Sequence, residues 1–166
     1  DLIGVRTAEK QRVEKLLEDA QIKLSVVASD IFGVSGREMM AALIAGQRNP
    51  RVLAQFARGR MRTKLSQLEE AFTGRFTDHH GFLLAKMLTR IDQVDSDLAD
   101  LDVRIGAEIA PFADAVARLD QIPGIGPDTA YVILSEMGID MTRFPTAAHL
   151  CSWAGFAPGV TEPAGR

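Results

Sequence analysis

"LDQIPGIGPDTAYVILSEMG", residues 119–138, sets a Pro-Gly-Ile-Gly-Pro turn ahead of an apolar run at helical spacing. Glycine tolerates positive φ and lets another backbone or a ligand come close, so Gly124 and Gly126 are expected to make a tight turn. Pro127 suits the first helical position, Asp128 the positive end of the helix dipole, and Gly138 a left-handed terminator. The spacing predicts a helix over 127–137. Upstream, Ala115, Val116, Leu119 and Ile122 also recur at helical spacing, giving a helix, a Gly-rich turn and a helix. That is the outline of a helix-hairpin-helix. Free amides around Gly124, Ile125 and Gly126, with the N-terminus of the second helix, then form a site suited to a nucleic-acid phosphate. A close-packed interhelical turn with no ligand is the plainer reading of the same residues.

The rest of the chain keeps this helical tempo. Val13, Leu16, Leu17 and Ala20 form one stripe over 7–20, with Glu9, Lys10, Glu14, Lys15 and Glu18 placed off it. Leu24, Val27, Ala28 and Ile31 predict a second helix stopping at Gly33. Ser35 is expected to cap a third, closed by Gly46, and Asn49-Pro50 opens a fourth through Leu53 and Phe56. There is no run of period-2 alternation and no Asn-Gly or Asp-Gly hairpin signal, so the fold class is all-α. Near the end, Thr146 is expected to cap a short helix carrying Leu150 and Trp153, with Gly155 as its terminator. Trp153 and the single cysteine, Cys151, are expected inside.

The most regular stretch is 84–105. Leu84, Ile91, Leu98 and Ile105 fall every seven residues, and Met87, Val94 and Leu101 fall three after the first three of these. Leu88, Arg90, Asp95, Asp97, Asp102 and Arg104 flank this 3,4 seam at the e and g positions of a coiled coil. Leu84, Met87, Ile91, Val94, Leu98 and Leu101 are therefore candidates for homodimerisation, in either orientation; the alternative is a long core helix packed within the chain. Pro111 is expected to end this helix, dividing a helical linker and coiled-coil region (1–110) from a helix-hairpin-helix-like domain (111–166).

A net charge of −3 over 166 residues hides a segregation. From Arg37 to Arg75 eight bases face three acids, whereas from Asp92 to Asp120 eight acids face two bases. The first stretch makes Arg58, Arg60, Arg62 and Lys64 candidates for phosphate contact, against the plainer reading of a solvated helical face. No apolar run approaches the roughly 20 residues that span a bilayer. With no signal peptide at the start, a cytoplasmic setting without membrane attachment is expected. Three histidines, two of them adjacent as His79 and His80, do not make a metal set. The carboxylates of 92–102 flank the seam and read as solvated. No Gly-x-Ser-x-Gly elbow and no Walker loop occurs.

Three stretches together resemble a known family: "EKLLEDAQIKLSVVASDIFGVSGREMMAALIAG", "FARGRMRTKLSQLEEAFTGRFTDHHGFLL" and, above all, "IPGIGPDTAYVILSEMGIDMTRFPTAAHLCSWAGFAPG". Their order of Gly, Pro, Phe and Trp is similar to that of the IS-one-ten transposases of bacterial mobile elements, the bridge-RNA-guided recombinases. The resemblance implies an N-terminal RuvC-like domain with metal-binding acids, a helical coiled-coil region pairing subunits, and a C-terminal domain with a serine nucleophile. This chain resembles the second part and the start of the third. DNA, and with it a structured guide RNA, are the partners implied.

Two departures bear on chemistry. Residue 1 already lies beyond the RuvC-like domain, so no divalent-metal site is carried over to this chain and no cofactor is expected in it. Where the family reads roughly Asn-Glu-Ser-Ala-Gly-Lys, this chain reads Thr161, Glu162, Pro163, Ala164, Gly165, Arg166. Pro163 at the serine's place has no hydroxyl to attack a phosphodiester. The reading is a piece of a DNA transposase, or the product of a decayed gene, that dimerises and binds nucleic acid without catalysis of its own. The alternative is a non-catalytic helical protein-interaction module.

Overall fold

The computed structural model describes residues 1–155, and all regular structure among them is helical. The chain divides into two units, Asp1–Val103 and Arg104–Arg166.

In the first unit, α1 (Leu2–Asp19) starts ahead of its apolar stripe because the Asp1 side chain accepts the Ile3 amide at 3.0 Å and caps it. It ends without a glycine. Gln21 takes φ 59°, the Gln21 amide bonds to the Glu18 carbonyl at 2.8 Å, and the Ile22 amide to that of Leu17 at 2.7 Å. This is a Schellman motif, and Leu17 and Ile22, which it brings together, are both buried. α2 (Leu24–Val27) is a single turn, not the helix to Gly33 that the spacing predicts. Ala28 is extended and the Asp30 carboxylate takes the Phe32 amide at 2.8 Å, a local bond that competes with the helix.

α3 (Val34–Ile44) is capped at Gly33, so Ser35 is not the cap. Its buried hydroxyl instead accepts the Arg58 amide at 3.0 Å. Gly46 does close α3, at φ 93°, in a second Schellman motif, with Gln47 N–H to the Ala42 carbonyl at 2.9 Å. α4 (Pro50–Ala54) has the expected cap, the Asn49 side chain accepting the Arg51 amide at 3.0 Å. A 3-10 turn, Gly59–Lys64, leads to α5 (Leu65–Ala71).

The long helix α6 (Asp78–Ile109) has α1 antiparallel beside it: Asp19 meets His80, Glu9 meets Arg90 and Arg6 meets Asp95. Val13 and Leu17 of α1, Met39, Met40 and Leu43 of α3, Leu53, Leu68, and Leu84, Leu88 and Ile91 of α6 form one core. Two expectations change here. Glu9, placed off the apolar stripe, is 3% exposed and lies on it, because Arg12 and Arg90 supply the charge that lets a carboxylate enter. The seam is also partly spent: Leu84 and Ile91 are fully buried in this chain's own core and Met87 packs against it. Only Val94 and Leu98, half-buried, and Leu101, 47% exposed, remain open to a second chain. Apolar side chains bury against the nearest apolar surface, and here the same polypeptide provides it.

In the second unit, a 3-10 turn, Ala110–Phe112, ends α6 at Pro111 as expected. α7 (Ala113–Asp120), α8 (Pro127–Met137), a 3-10 turn over Met141–Arg143 and α9 (Ala147–Trp153) follow. The bounds of α8 are those its sequence predicts. Gly138 ends it at φ 72°, ψ −174°, outside the left-handed helical region expected but in backbone open essentially to glycine alone. Thr146 stands at the N-cap of α9, yet its hydroxyl bonds His149 Nδ1 at 2.8 Å rather than a helix amide. Gly155 follows α9 at φ 76°.

Among the described residues of this unit Ala130 alone is buried. Trp153, expected in the core, is 51% exposed with Phe144 at 5.6 Å, and Cys151 is exposed as well. Helices of 7 to 11 residues enclose too little volume to cover side chains of that size. The fold is all-α: no strand occurs among the described residues, and no helix among them is long and apolar enough to cross a membrane.

Candidate nucleic-acid interface

The turn between α7 and α8 is built by Ile122-Pro123-Gly124-Ile125. The Ile125 amide donates to the Ile122 carbonyl at 3.0 Å, with Pro123 second and Gly124 third at φ 91°, the residue pattern of a type II turn. Gly124 is thus required by the turn. Gly126 is not: φ −91° and ψ 177° are ordinary extended backbone, and a Cβ added there meets nothing within 4 Å. Gly126 caps α8 without a side chain, Pro127 follows at the first helical position, and Ala130 N–H makes the first helical bond, to the Gly126 carbonyl at 2.9 Å. The Asp128 and Thr129 amides therefore have no intrahelical acceptor and face outward at the positive end of the dipole.

The basic candidates lie in the first unit, on the Gly59–Lys64 turn and the residue before it. Arg58 is held by the Glu38 carboxylate, its Nε donating at 3.0 Å and its Nη2 to the other oxygen. Lys64 Nζ donates to the Val27 carbonyl at 2.8 Å. Arg60 and Arg62 are exposed and form no ion pair among the described residues. The same holds more widely for the basic run read from sequence. Arg37 pairs with Asp92 at 2.5 Å, Arg48 with Asp78 at 2.9 Å and Arg51 with Glu69 at 3.8 Å. Two bases of this run, Arg37 and Arg48, are thus paired with acids of α6, and two more, Arg51 and Arg58, with acids of α5 and α3.

Glu9, which the sequence pattern places off the stripe, is held by two arginines. Arg90 reaches its Oε1 through Nε at 2.7 Å and Nη2 at 2.6 Å, while Arg12 Nη1 reaches Oε2 at 2.6 Å. Burial pushes its carboxyl upward, but the hydrogen bonds and charges of the two arginines outweigh that and hold it below the usual glutamate value. Glutamate at i with arginine at i+3 was the one local sign of this arrangement. No three His, Cys, Asp or Glu side chains gather into a metal-holding group among the described residues. Pro163, at the position of the implied nucleophile, lies outside them.

Residues 116–166, from within α7 through the Gly124 turn and α8 to the end of the chain, match the model of the Transposase IS116/IS110/IS902 family. Over that segment, about a third of its length, the chain is similar to that transposase family, and two curated relatives share the likeness. Two relatives come from Streptomyces coelicolor. The insertion element IS110 uncharacterized 43.6 kDa protein is 58% identical over 40 residues, 24% of this chain and 10% of the relative. The mini-circle putative transposase for IS117 is 34% identical over 89 residues, 54% of this chain and 21% of the relative. The match thus spans about a tenth and a fifth of these relatives' lengths. No solved structure matches.

Proposed function

We propose that this chain supplies a helical arm and part of the C-terminal domain of a DNA transposase of an insertion element, where it contacts nucleic-acid backbone and pairs subunits. The observation that carries the reading is Gly126: inside the family-matched segment, a residue with no steric need to be glycine stands where bare amides of a helix start face outward. A phosphate fits such a place. Arg60 and Arg62 offer a separate cationic patch in the first unit, and double-stranded DNA is the expected ligand of each, with structured RNA as a competitor. Metal-dependent chemistry belongs, on this reading, to acids outside this chain.

The test is duplex binding across a salt series. Arg60→Ala with Arg62→Ala is expected to lower affinity and flatten the salt slope by about two units, one per lost phosphate contact. Gly126→Ala meets no atom within the chain but replaces a favoured N-cap residue, so it is expected to cost about 0.5–1 kcal/mol of stability and to weaken binding at temperatures where the variant is fully folded. Binding unaffected by either change would remove both sites from the interface. The commitment of Arg58 and Lys64 to partners within the chain favours a second reading, a helical protein-interaction module. Its mark would be no duplex binding at any salt concentration.

A further inference from the structure

The N-terminus of α6 is closed by a reciprocal pair of side chains. The Thr77 carbonyl accepts the first helical bond, from Gly81 at 3.1 Å. The Thr77 hydroxyl takes the His80 amide at 3.4 Å, and His80 Nδ1 takes the Thr77 amide at 3.1 Å. This is a capping box with histidine where glutamate or glutamine usually stands. A backbone amide can only donate, so Nδ1 carries no proton and the ring N–H sits on Nε2. Nε2 faces Asp19 Oδ2 at 3.2 Å, the last residue of α1. One neutral ring, its side chain 15% exposed, thus joins the start of α6 to the end of α1.

We infer that His80 is a pH-operated latch on this junction: neutral it closes the cap of α6, and protonated it opens it. A proton on Nδ1 sets two donors, Nδ1–H and Thr77 N–H, against each other. The Thr77 hydroxyl, 2.7 Å from Nδ1, can turn from donor to acceptor, but the amide cannot and is left without a partner. Asp19 on α1 contacts the ring; Asp78 and His79 precede it on α6, and Arg75 lies in the loop before them. Arg48 lies 5.1 Å over the Phe76 ring, which itself sits 5.6 Å from the imidazole, and pairs with Asp78. Protonation leaves Nε2–H facing Asp19 while breaking the cap, exchanging a helix bond for a charged contact. His149 is the internal contrast, since its Nδ1 meets the Thr146 hydroxyl, which can reverse.

The experiment is amide hydrogen exchange of the full chain by NMR, read as the Thr77 protection factor from about pH 7.5 to about pH 5, where histidines change charge. Protection is expected to fall roughly five-fold on acidification, the equivalent of one lost cap. In His80→Gln, whose carbonyl accepts the amide at every pH, the fall should vanish, and His79→Gln should match the unmodified chain. A flat profile in the unmodified chain, or a fall that persists in His80→Gln, would overturn the latch.

Discussion

Gln21 is the one non-glycine residue with positive φ among the described residues, and nothing in its own chemistry favours that backbone. It is held there because the Schellman bonds satisfy the last carbonyls of α1 and bring Leu17 onto Ile22. A left-handed L-residue costs roughly 1–2 kcal/mol, part of which glycine returns through its freer unfolded chain. Gln21→Gly is therefore expected to stabilise the protein by about 0.5–1 kcal/mol in urea unfolding. A loss of stability would mean that the side chain itself holds the turn. The same site explains why the end of α1 is hard to read in sequence: Asp19-Ala20-Gln21 contains no glycine to announce a stop. Gly46 was readable for the opposite reason.

At the scale of elements, the pairing of α1 with α6 rests on apolar stripes and on Glu9 between Arg12 and Arg90. The Glu9 carboxyl is held below its ordinary value, so its contribution is complete above the unfolded value of about 4.3 and is lost as pH falls through the lower folded value. Both arginine side chains are about 60% exposed, which limits the cost of leaving them unpaired. Glu9→Gln is expected to cost about 1–2 kcal/mol at neutral pH. That gap should narrow as pH falls below the unfolded value and close once the native residue is also neutral. Equal destabilisation at pH 7 and pH 3 would show that shape rather than charge matters at this position.

For the whole molecule, the seam of α6 divides its work. Ile91→Asp places a charge in the core of the first unit and is expected to unfold it, whereas Leu98→Asp with Leu101→Asp leaves that core intact. If α6 pairs subunits as proposed, the second variant should sediment as a monomer with unchanged far-UV circular dichroism, and the unmodified chain as a dimer. The same mass for both would remove Leu98 and Leu101 from any subunit contact. The stretch left over, Val94 to Leu101, is little more than one heptad, so self-association through it is expected to be weak and concentration-dependent.

By itself the sequence determined the helical class, the bounds of α8, the Asn49-Pro50 cap, the Gly46 stop and the break at Pro111, because each depends on backbone preferences acting within a few residues. It also held the Pro-Gly turn at Gly124, whose geometry is local. Tertiary structure decided the rest. Heptad spacing places Leu84 and Ile91 on one face of α6 but does not say whose surface that face meets, and the nearest apolar surface belonged to the same chain. A run of bases reads as a free cationic face until the fold pairs some of its members, and partnership between Arg37 and Asp92, 55 residues apart, leaves no local trace. Glu9 sat on the buried stripe for the same reason. A carboxylate is polar in any pattern counted along one helix, and only two arginines, one of them 81 residues away, make its burial affordable.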